Sequence, residues 1–352
     1  MSTEREQPGI PRTLRLPEDL RAGVERALAQ APAARWTRAA QQLSERYRQP
    51  RAGGEQPLAH SHADVLGYLA ISLPATYAQL RGAMAAAAAR IPSWAPETLL
   101  DLGSGPGTAL WAAVDQWPSL RRCEAWEREP AFIAVGRSLA AGSESGAVRG
   151  SEWRRVNLTA QLAGSRFKSA PRTRYDLVVL GHVLNELDPD VRPAVVAAAW
   201  ELTAGLLLIV EPGTPAAFEV VRAARNLLLE AGAHTIAPCA HDAPCPLEND
   251  WCHFPQRIWR PEFQRRARGA LSPWEESKYS YAAMARFAAA RPIWGRVIRE
   301  PMSNKAYAEA FISAREGIVR HRALKRHRDA YRRVQDLAWG EALEEPLEEP
   351  PS

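Results

Sequence analysis

The stretch Glu97-Thr-Leu-Leu-Asp-Leu-Gly-Ser-Gly-Pro-Gly-Thr108 decides the fold. Its apolar run around Asp101 reads as a short buried strand. It runs into Gly103, Ser104, Gly105 and Gly107, and a helix pattern follows over Ala109–Trp117. Glycines let the backbone turn sharply and approach a ligand closely, while the unpaired amides at the helix start face that ligand. Glu127 lies 20 residues beyond Gly107, at the end of the next strand, Arg-Arg-Cys-Glu-Ala-Trp-Glu. A carboxylate there can accept both hydroxyls of a ribose. The competing reading is a tight strand-to-helix turn that holds nothing.

Working outward, the pattern alternates. A helix over Pro130–Ala141 precedes a weaker strand around Trp153–Leu158, and the run Tyr-Asp-Leu-Val-Val-Leu-Gly from Tyr175 precedes a helix over Arg192–Thr203. The apolar run Gly-Leu-Leu-Leu-Ile-Val-Glu-Pro-Gly then leads to a helix over Ala216–Ala231. Such alternation implies parallel strands with right-handed crossovers, a doubly wound α/β sheet. Ahead of it, residues 1–16 are expected to be disordered. Residues 17–90 are expected to form helices from Pro17, over Ala33–Tyr47, and as two further helices across Ala63–Arg90.

Beyond residue 232 the periodicity fails. Residues 233–275 hold three cysteines, three histidines and several prolines, and read as an irregular insertion. Period-two patterns return at Lys278–Ala283, Arg296–Arg299 and Tyr307–Ser313, with Ser303 and Asn304 as a turn signal, and are expected to close the sheet antiparallel. A basic helix over Ile318–Trp339 and an acidic tail, 341–352, are expected last. The organisation expected is therefore a disordered start (1–16), a helical region (17–90), a sheet domain (91–317) carrying the insertion, a basic helix (318–340) and the tail.

The 352 residues carry 45 Lys plus Arg against 40 Asp plus Glu, a net charge of +5, too small by itself to announce a nucleic-acid or membrane partner. Its distribution is uneven. Residues 251–340 hold 19 Lys plus Arg and 8 Asp plus Glu, net +11, while the tail carries −5. Arg320, Arg322, Lys325, Arg326, Arg328, Arg332 and Arg333 crowd one segment, and like charges at that density call for a polyanion such as RNA. Trp294 and Arg296 just before it are candidates for added stacking. A basic face paired with the acidic tail is the alternative. Only four of the 45 cations are lysine, which suits bidentate phosphate contacts or reflects codon bias.

No apolar stretch reaches the roughly 20 residues of a membrane helix, and the first residues lack a signal architecture, so a cytoplasmic protein, monomeric and without a membrane partner, is expected. Four cysteines form no disulfide scaffold. Cys239, Cys245 and Cys252 fall within 14 residues that lack a core pattern, which suits a metal acting as organiser. Their spacings do not match zinc knuckles, so iron–sulfur ligation competes with zinc, and buried structural thiols are the third option. Cys123 belongs to the second strand.

The Asp-x-Gly-x-Gly-x-Gly loop with an acidic second strand resembles the first motif of class I S-adenosylmethionine-dependent methyltransferases. That resemblance implies that Gly103–Gly107 face the methionine part, Glu127 the ribose and Asn157 the adenine. It also places His182, Asn185 and Glu186, after the fourth strand, near the transferable methyl, with Glu211 bordering the cleft. Adding Val-Leu-Asn-Glu-Leu, Val-Glu-Pro-Gly-Thr-Pro, the cysteine segment ending Trp-Cys-His-Phe, Lys-Tyr-Ser-Tyr and Ala-Trp-Gly, the chain from about Ala63 to Gly340 resembles the methyltransferase-like small-subunit assembly proteins of bacteria and mitochondria. That family implies association with the small ribosomal subunit and its rRNA, and a four-cysteine iron–sulfur cluster. The family's fourth cysteine position corresponds to Ser313.

Overall fold

The computed structural model describes residues 13–48, 61–162 and 173–348. Three helices precede the glycine turn: α1 (Glu18–Ala29), α2 (Ala33–Arg48) and α3 (His62–Ala88). Pro74 was expected to split the last of these. Instead α3 runs through it, although proline removes one helical hydrogen bond at a cost of about 3 kcal/mol. Burial outweighs that cost, because Leu66, Leu69, Leu73, Tyr77, Leu80 and Met84 are all sequestered and each large side chain contributes about 1.5–3 kcal/mol.

The alternating region follows as β1 (Thr98–Leu102), α4 (Thr108–Gln116), β2 (Arg122–Glu127), α5 (Pro130–Ala141), α6 (Gly146–Arg149), β3 (Glu152–Arg155), α7 (Leu158–Leu162) and β4 (Tyr175–Gly181). After a single 3₁₀ turn, Leu184–Glu186, come α8 (Arg192–Glu201), β5 (Thr203–Pro212), α9 (Pro215–Glu230) and β6 (His234–Ala237). Then come β7 (Phe254–Trp259), α10 (Glu262–Arg268) and β8 (Trp274–Ala285). Among the described residues the sheet order is β3-β2-β1-β4-β5-β8-β6, with β7 paired to the first half of β8. Strands β1 to β5 are parallel; β8 runs antiparallel between β5 and β6. Alternate residues feed two layers. Leu99, Leu177 and Val179 pack towards α3 and α4, and Leu100, Val178 and Leu180 towards α8 and α9.

The expectation that the final strands close this sheet is corrected. Strands β9 (Gly295–Val297), β10 (Met302–Ser303), β11 (Tyr307–Ala314), β12 (Gly317–Leu324) and β13 (Ala342–Leu343) form a second sheet. Its Val297, Ala308, Ala310, Ile312 and Ala323 bury a separate apolar cluster with Val334 and Leu337, so it needs its own covering helix, α11 (Arg328–Gln335). The expected basic helix over 318–340 is thereby corrected too: its first part is β12. Val319, His321 and Ala323 point inward and Ile318, Arg320, Arg322 and Leu324 outward, a period of two that the density of arginines hides from a helical reading.

Two more expectations change. The insertion 233–275 is irregular only between β6 and β7; elsewhere it carries strands and α10. Residues 13–16 are ordered, since Leu14 exchanges backbone hydrogen bonds of 2.8 Å with Arg257 and Trp259, whereas residues 1–12 lie outside the described residues. The start of the acidic tail enters the second sheet as β13, and 349–352 lie outside.

A Cβ on Gly67 would sit 2.7 Å from the backbone nitrogen of Ala40, so α2 and α3 touch through their main chains. Gly67→Ala must separate them, and a stability loss of about 1–3 kcal/mol in urea unfolding, with unchanged denaturant slope, is expected. An unchanged midpoint would refute the contact.

Candidate cofactor cleft

Gly103, Gly105 and Gly107 all adopt positive φ, +73°, +52° and +81°. The turn folds back on the second strand, with the Gly103 and Ser104 amides donating to the Trp126 carbonyl at 2.8 and 3.0 Å. Nothing larger than glycine fits, because a Cβ at 103 would lie 2.6 Å from Val183 and one at 107 would lie 2.8 Å from the Trp153 ring. Glu127 is oriented by the same turn. Its Oε2 accepts from the Gly105 amide at 2.8 Å and its Oε1 from the Glu129 amide at 2.9 Å. Burial raises its pKa against these amides. Beneath it, burial and then the Glu127 charge push Asp101 up to about 8, and Asp101 Oδ2 has no partner.

These residues open onto a solvent-connected cleft. Gly103, Gly105, Glu127, Asn157, His182 and Glu186 line it. Asp101 is buried, and it, Ser104, Gly107 and Asn185 are not among the lining residues. Asn157 also caps α7, its Oδ1 accepting from the Ala160 amide at 3.2 Å. Glu211 is fully buried and pushed up to about 8, mainly by burial; its Oε1 accepts from the Leu184 amide at 2.7 Å and shapes the 3₁₀ turn. Tyr68 of α3 and Phe132 of α5 meet edge-to-face at 5.2 Å on the cleft wall. Sequence reading missed both, since nothing in a helical pattern marks which residue reaches a distant turn.

His182 sits at positive φ, +59°, which costs a non-glycine residue about 1–3 kcal/mol. Its Nε2 lies 2.6 Å from Gln79 Oε1. The Gln79 amide donates to Ser277 Oγ at 2.7 Å and to the Lys278 carbonyl at 3.1 Å, so its oxygen must accept. The proton is thereby assigned to Nε2, leaving Nδ1 as an acceptor. Burial lowers the His182 pKa to about 4, so the ring is neutral near pH 7.

The cysteine segment forms a loop where the two sheets meet. Burial raises the pKa of Cys239 and Cys252. Three buried guanidiniums hold the loop that carries them. Arg90 donates to the Cys239 carbonyl, Arg296 to those of Pro238 and Gly340, and Arg225 to those of His241 and Ala243. Arg225 Nε and Nη1 and both His241 ring nitrogens are buried without partners. Ser313 stands opposite Arg296 across the β9–β11 pair. The donor chemistry suits a thiolate-bound metal, yet among the described residues no three His, Cys, Asp or Glu side chains are gathered to hold one. Cys123 is buried in β2, its thiol pushed up to about 12.

Of the basic candidates, Arg320 and Arg322 lie exposed on β12, Lys325 and Arg326 in the following turn, and Arg328, Arg332 and Arg333 on α11. Arg333 pairs with Glu341 at 3.0 Å, one instance of the pairing with the tail. Arg296 is buried and offers no stacking surface, while Trp294 is half-buried against the core of the second sheet and donates to Glu316. No helix among the described residues is long and apolar enough to cross a membrane.

The strand order, the reversed β8 and the glycine turn define the fold of the class I S-adenosylmethionine-dependent methyltransferases. Within it, the chain belongs to the Rsm22 family, described as mitochondrial small ribosomal subunit Rsm22, which it matches over residues 62–344. It is 30% identical to the human mitochondrial ribosome assembly protein METTL17 over 82% of this chain. It is 23% identical to the mitochondrial Rsm22-cox11 tandem protein 2 of Schizosaccharomyces pombe over 81%. The chain spans 64% and 43% of those relatives' lengths. Among solved structures it is similar to a magnesium protoporphyrin IX methyltransferase of Synechocystis with S-adenosylmethionine bound, at 11% identity and TM-score 0.38, covering 69% of this chain and 91% of that one. An O-methyltransferase family protein of Burkholderia thailandensis scores 15% and 0.38, covering 70% and 68%. Likeness of that degree says nothing of what this chain binds. The expected cytoplasmic location is overturned, because the family and these relatives are mitochondrial.

The buried acids predict a pH dependence. Unfolded, Asp101 and Glu211 titrate near 4; folded, they keep their protons to about 8, so the native chain binds more protons between those values and loses stability as pH rises through them. His182, with its pKa lowered to about 4, costs stability as pH falls below about 6.5, leaving pH 6.5–8 as the window where, of these three, only the acids act. Melting temperature should fall across that window, and Asp101→Asn should flatten the fall. An identical slope in the variant would contradict the raised Asp101 pKa.

Proposed function

We propose that the protein is an assembly or maturation factor of the small ribosomal subunit, monomeric, that binds S-adenosylmethionine in the cleft and rRNA on its basic surface. Family membership supports the ribosomal part. The observation that carries the cofactor part is the acidic floor of the cleft. Asp101 and Glu127 are held at raised pKa values below the glycine turn, and a cationic sulfonium nucleoside supplies the charge that lets them ionise. In this reading Glu127 accepts the ribose hydroxyls, the amides of the turn face the methionine part, and Asn157 borders the adenine.

The bound nucleoside supplies a methyl group activated on sulfur. Should a methyl be transferred, the neutral His182, with Nδ1 as acceptor, is the proposed proton acceptor, and Glu186 is the second acid on the cleft wall. Asn185 is proposed only to support the 3₁₀ turn, its amide lying 3.4 Å from Glu211 Oε1. Turnover is separate from binding, because a fold does not establish a reaction.

Calorimetry with S-adenosylmethionine tests the cleft. Binding should release protons, making the observed heat depend on the buffer's ionisation enthalpy, and Glu127→Gln should weaken affinity by about tenfold or more through the loss of a charged hydrogen-bond acceptor. Absence of heat would remove the cofactor reading. A labelled methyl appearing on immature small subunits, and lost in His182→Ala, would add catalysis.

The proposal extends to an iron–sulfur group on Cys239, Cys245 and Cys252, with zinc as the competing metal. Three buried guanidiniums on the loop that carries the thiols, with two Arg225 nitrogens unpartnered, support an anionic group there, and their positive charge favours the thiolates that would hold it. Iron, sulfide and zinc analysis with visible absorbance on anaerobically purified protein should find one of these metals, lost when Cys245 becomes Ser; folded, metal-free protein would end the idea.

A further inference from the structure

The second sheet has one face covered by its own core and one that is open only along β10–β12, since on the β9 side Arg296 and Ser313 are buried and Phe311 packs against the core of the first sheet. α11 and the apolar cluster of Val297, Ala308, Ala310, Ile312 and Ala323 close the first. The register fixes what stands on the other. Arg322 faces Glu309, which faces Met302, and Arg320 faces Phe311, so side chains of β12, β11 and β10 share that face with Tyr307, Ile318 and Leu324.

Three features of this face are unusual together. First, of the five large hydrophobic side chains exposed among the described residues, Met302, Ile318 and Leu324 stand here. Secondly, the two arginines lie over aromatic rings, Arg322 4.2 Å from the Tyr307 centroid and Arg320 5.7 Å from that of Phe311. Thirdly, Glu309 holds both, at 2.8 and 2.7 Å, which fixes their planes while their side chains stay 43% and 57% exposed. One carboxylate against two guanidiniums leaves the patch positive, and Lys325 and Arg326 extend that charge at its end.

We infer that this face is a platform for single-stranded RNA, on which bases stack against Tyr307, its arginine and the neighbouring apolar side chains while Lys325 and Arg326 meet phosphates. The inference deepens the proposed rRNA binding and rests on it. A duplex keeps its bases stacked inside and offers no flat surface to such a platform, so the fit is to unpaired nucleotides. Charge decides against an apolar protein partner, since two guanidiniums standing between Ile318 and Leu324 would be buried with a single counter-charge.

The test is fluorescence anisotropy of the full chain with a labelled oligoribonucleotide of about 12 nucleotides, single-stranded or annealed to its complement. The single strand should bind more tightly. Tyr307→Ala should weaken it by about tenfold, the loss of one base stack. Met302→Glu, at a side chain 55% exposed and outside the core, should weaken it likewise without lowering the melting temperature. Arg332→Gln, on the helix covering the other face, should affect single strand and duplex alike. Wild-type affinity in both Tyr307→Ala and Met302→Glu, or preference for the duplex, would overturn the platform while leaving RNA binding intact. A wild-type chain that binds neither RNA would overturn RNA binding itself. Loss of a purified ribosomal protein's binding on Met302→Glu, with RNA affinity unchanged, would make the face a protein contact and overturn the platform.

Discussion

The backbone reversal at residues 103–107 is the constraint on which the cleft depends. Three positive-φ glycines let the chain leave β1, hang two amides on the Trp126 carbonyl and enter α4 with the Gly105 amide on Glu127. The same close approach brings Val183 against Gly103 and Trp153 against Gly107, so the ends of β3 and β4 are packed onto the turn that the ligand would face. The cleft's electrostatics follow from depth, since Asp101 and Glu211 lose their hydration and hold their protons.

The second organising element is the seam between the sheets. Arg90 from the end of α3, Arg225 from α9 and Arg296 from β9 converge on carbonyls of one short loop that also carries the thiols. Around it His253 stacks on Trp251 at 5.0 Å and meets Trp339 at 4.9 Å, while Lys278 lies over the same Trp339 ring. Residues from three distant motifs therefore form one unit. Buried guanidiniums are costly without counter-charge, which ties the integrity of this joint to whatever negative charge the loop carries.

Charge is divided between the two ends of this arrangement. The cleft under the glycine turn is acidic, and the outer sheet and its flanking turn are basic. An acidic pocket suits a small cation; a basic sheet with arginines laid on aromatic rings suits a polyanion with flat bases. On the proposed function, this separation puts the small ligand and the large partner on different side chains.

Much of this was legible without coordinates. The glycine spacing, the acid 20 residues on and the strand–helix alternation each depend on local backbone chemistry, so Gly103, Gly105, Glu127 and the doubly wound sheet could be read directly. Tyr68 and Gln79 could not, because α3 presents them to the cleft and to His182 only through long-range packing. Nor could β12, where arginine density concealed a two-residue period, or the second sheet, because a strand's own pattern does not say which distant partner it will choose. Local propensities and turn geometry are written in neighbouring residues; the pairing of distant strands, the tautomer of His182 and the burial of Arg296 are decided only when the whole chain competes for the same core.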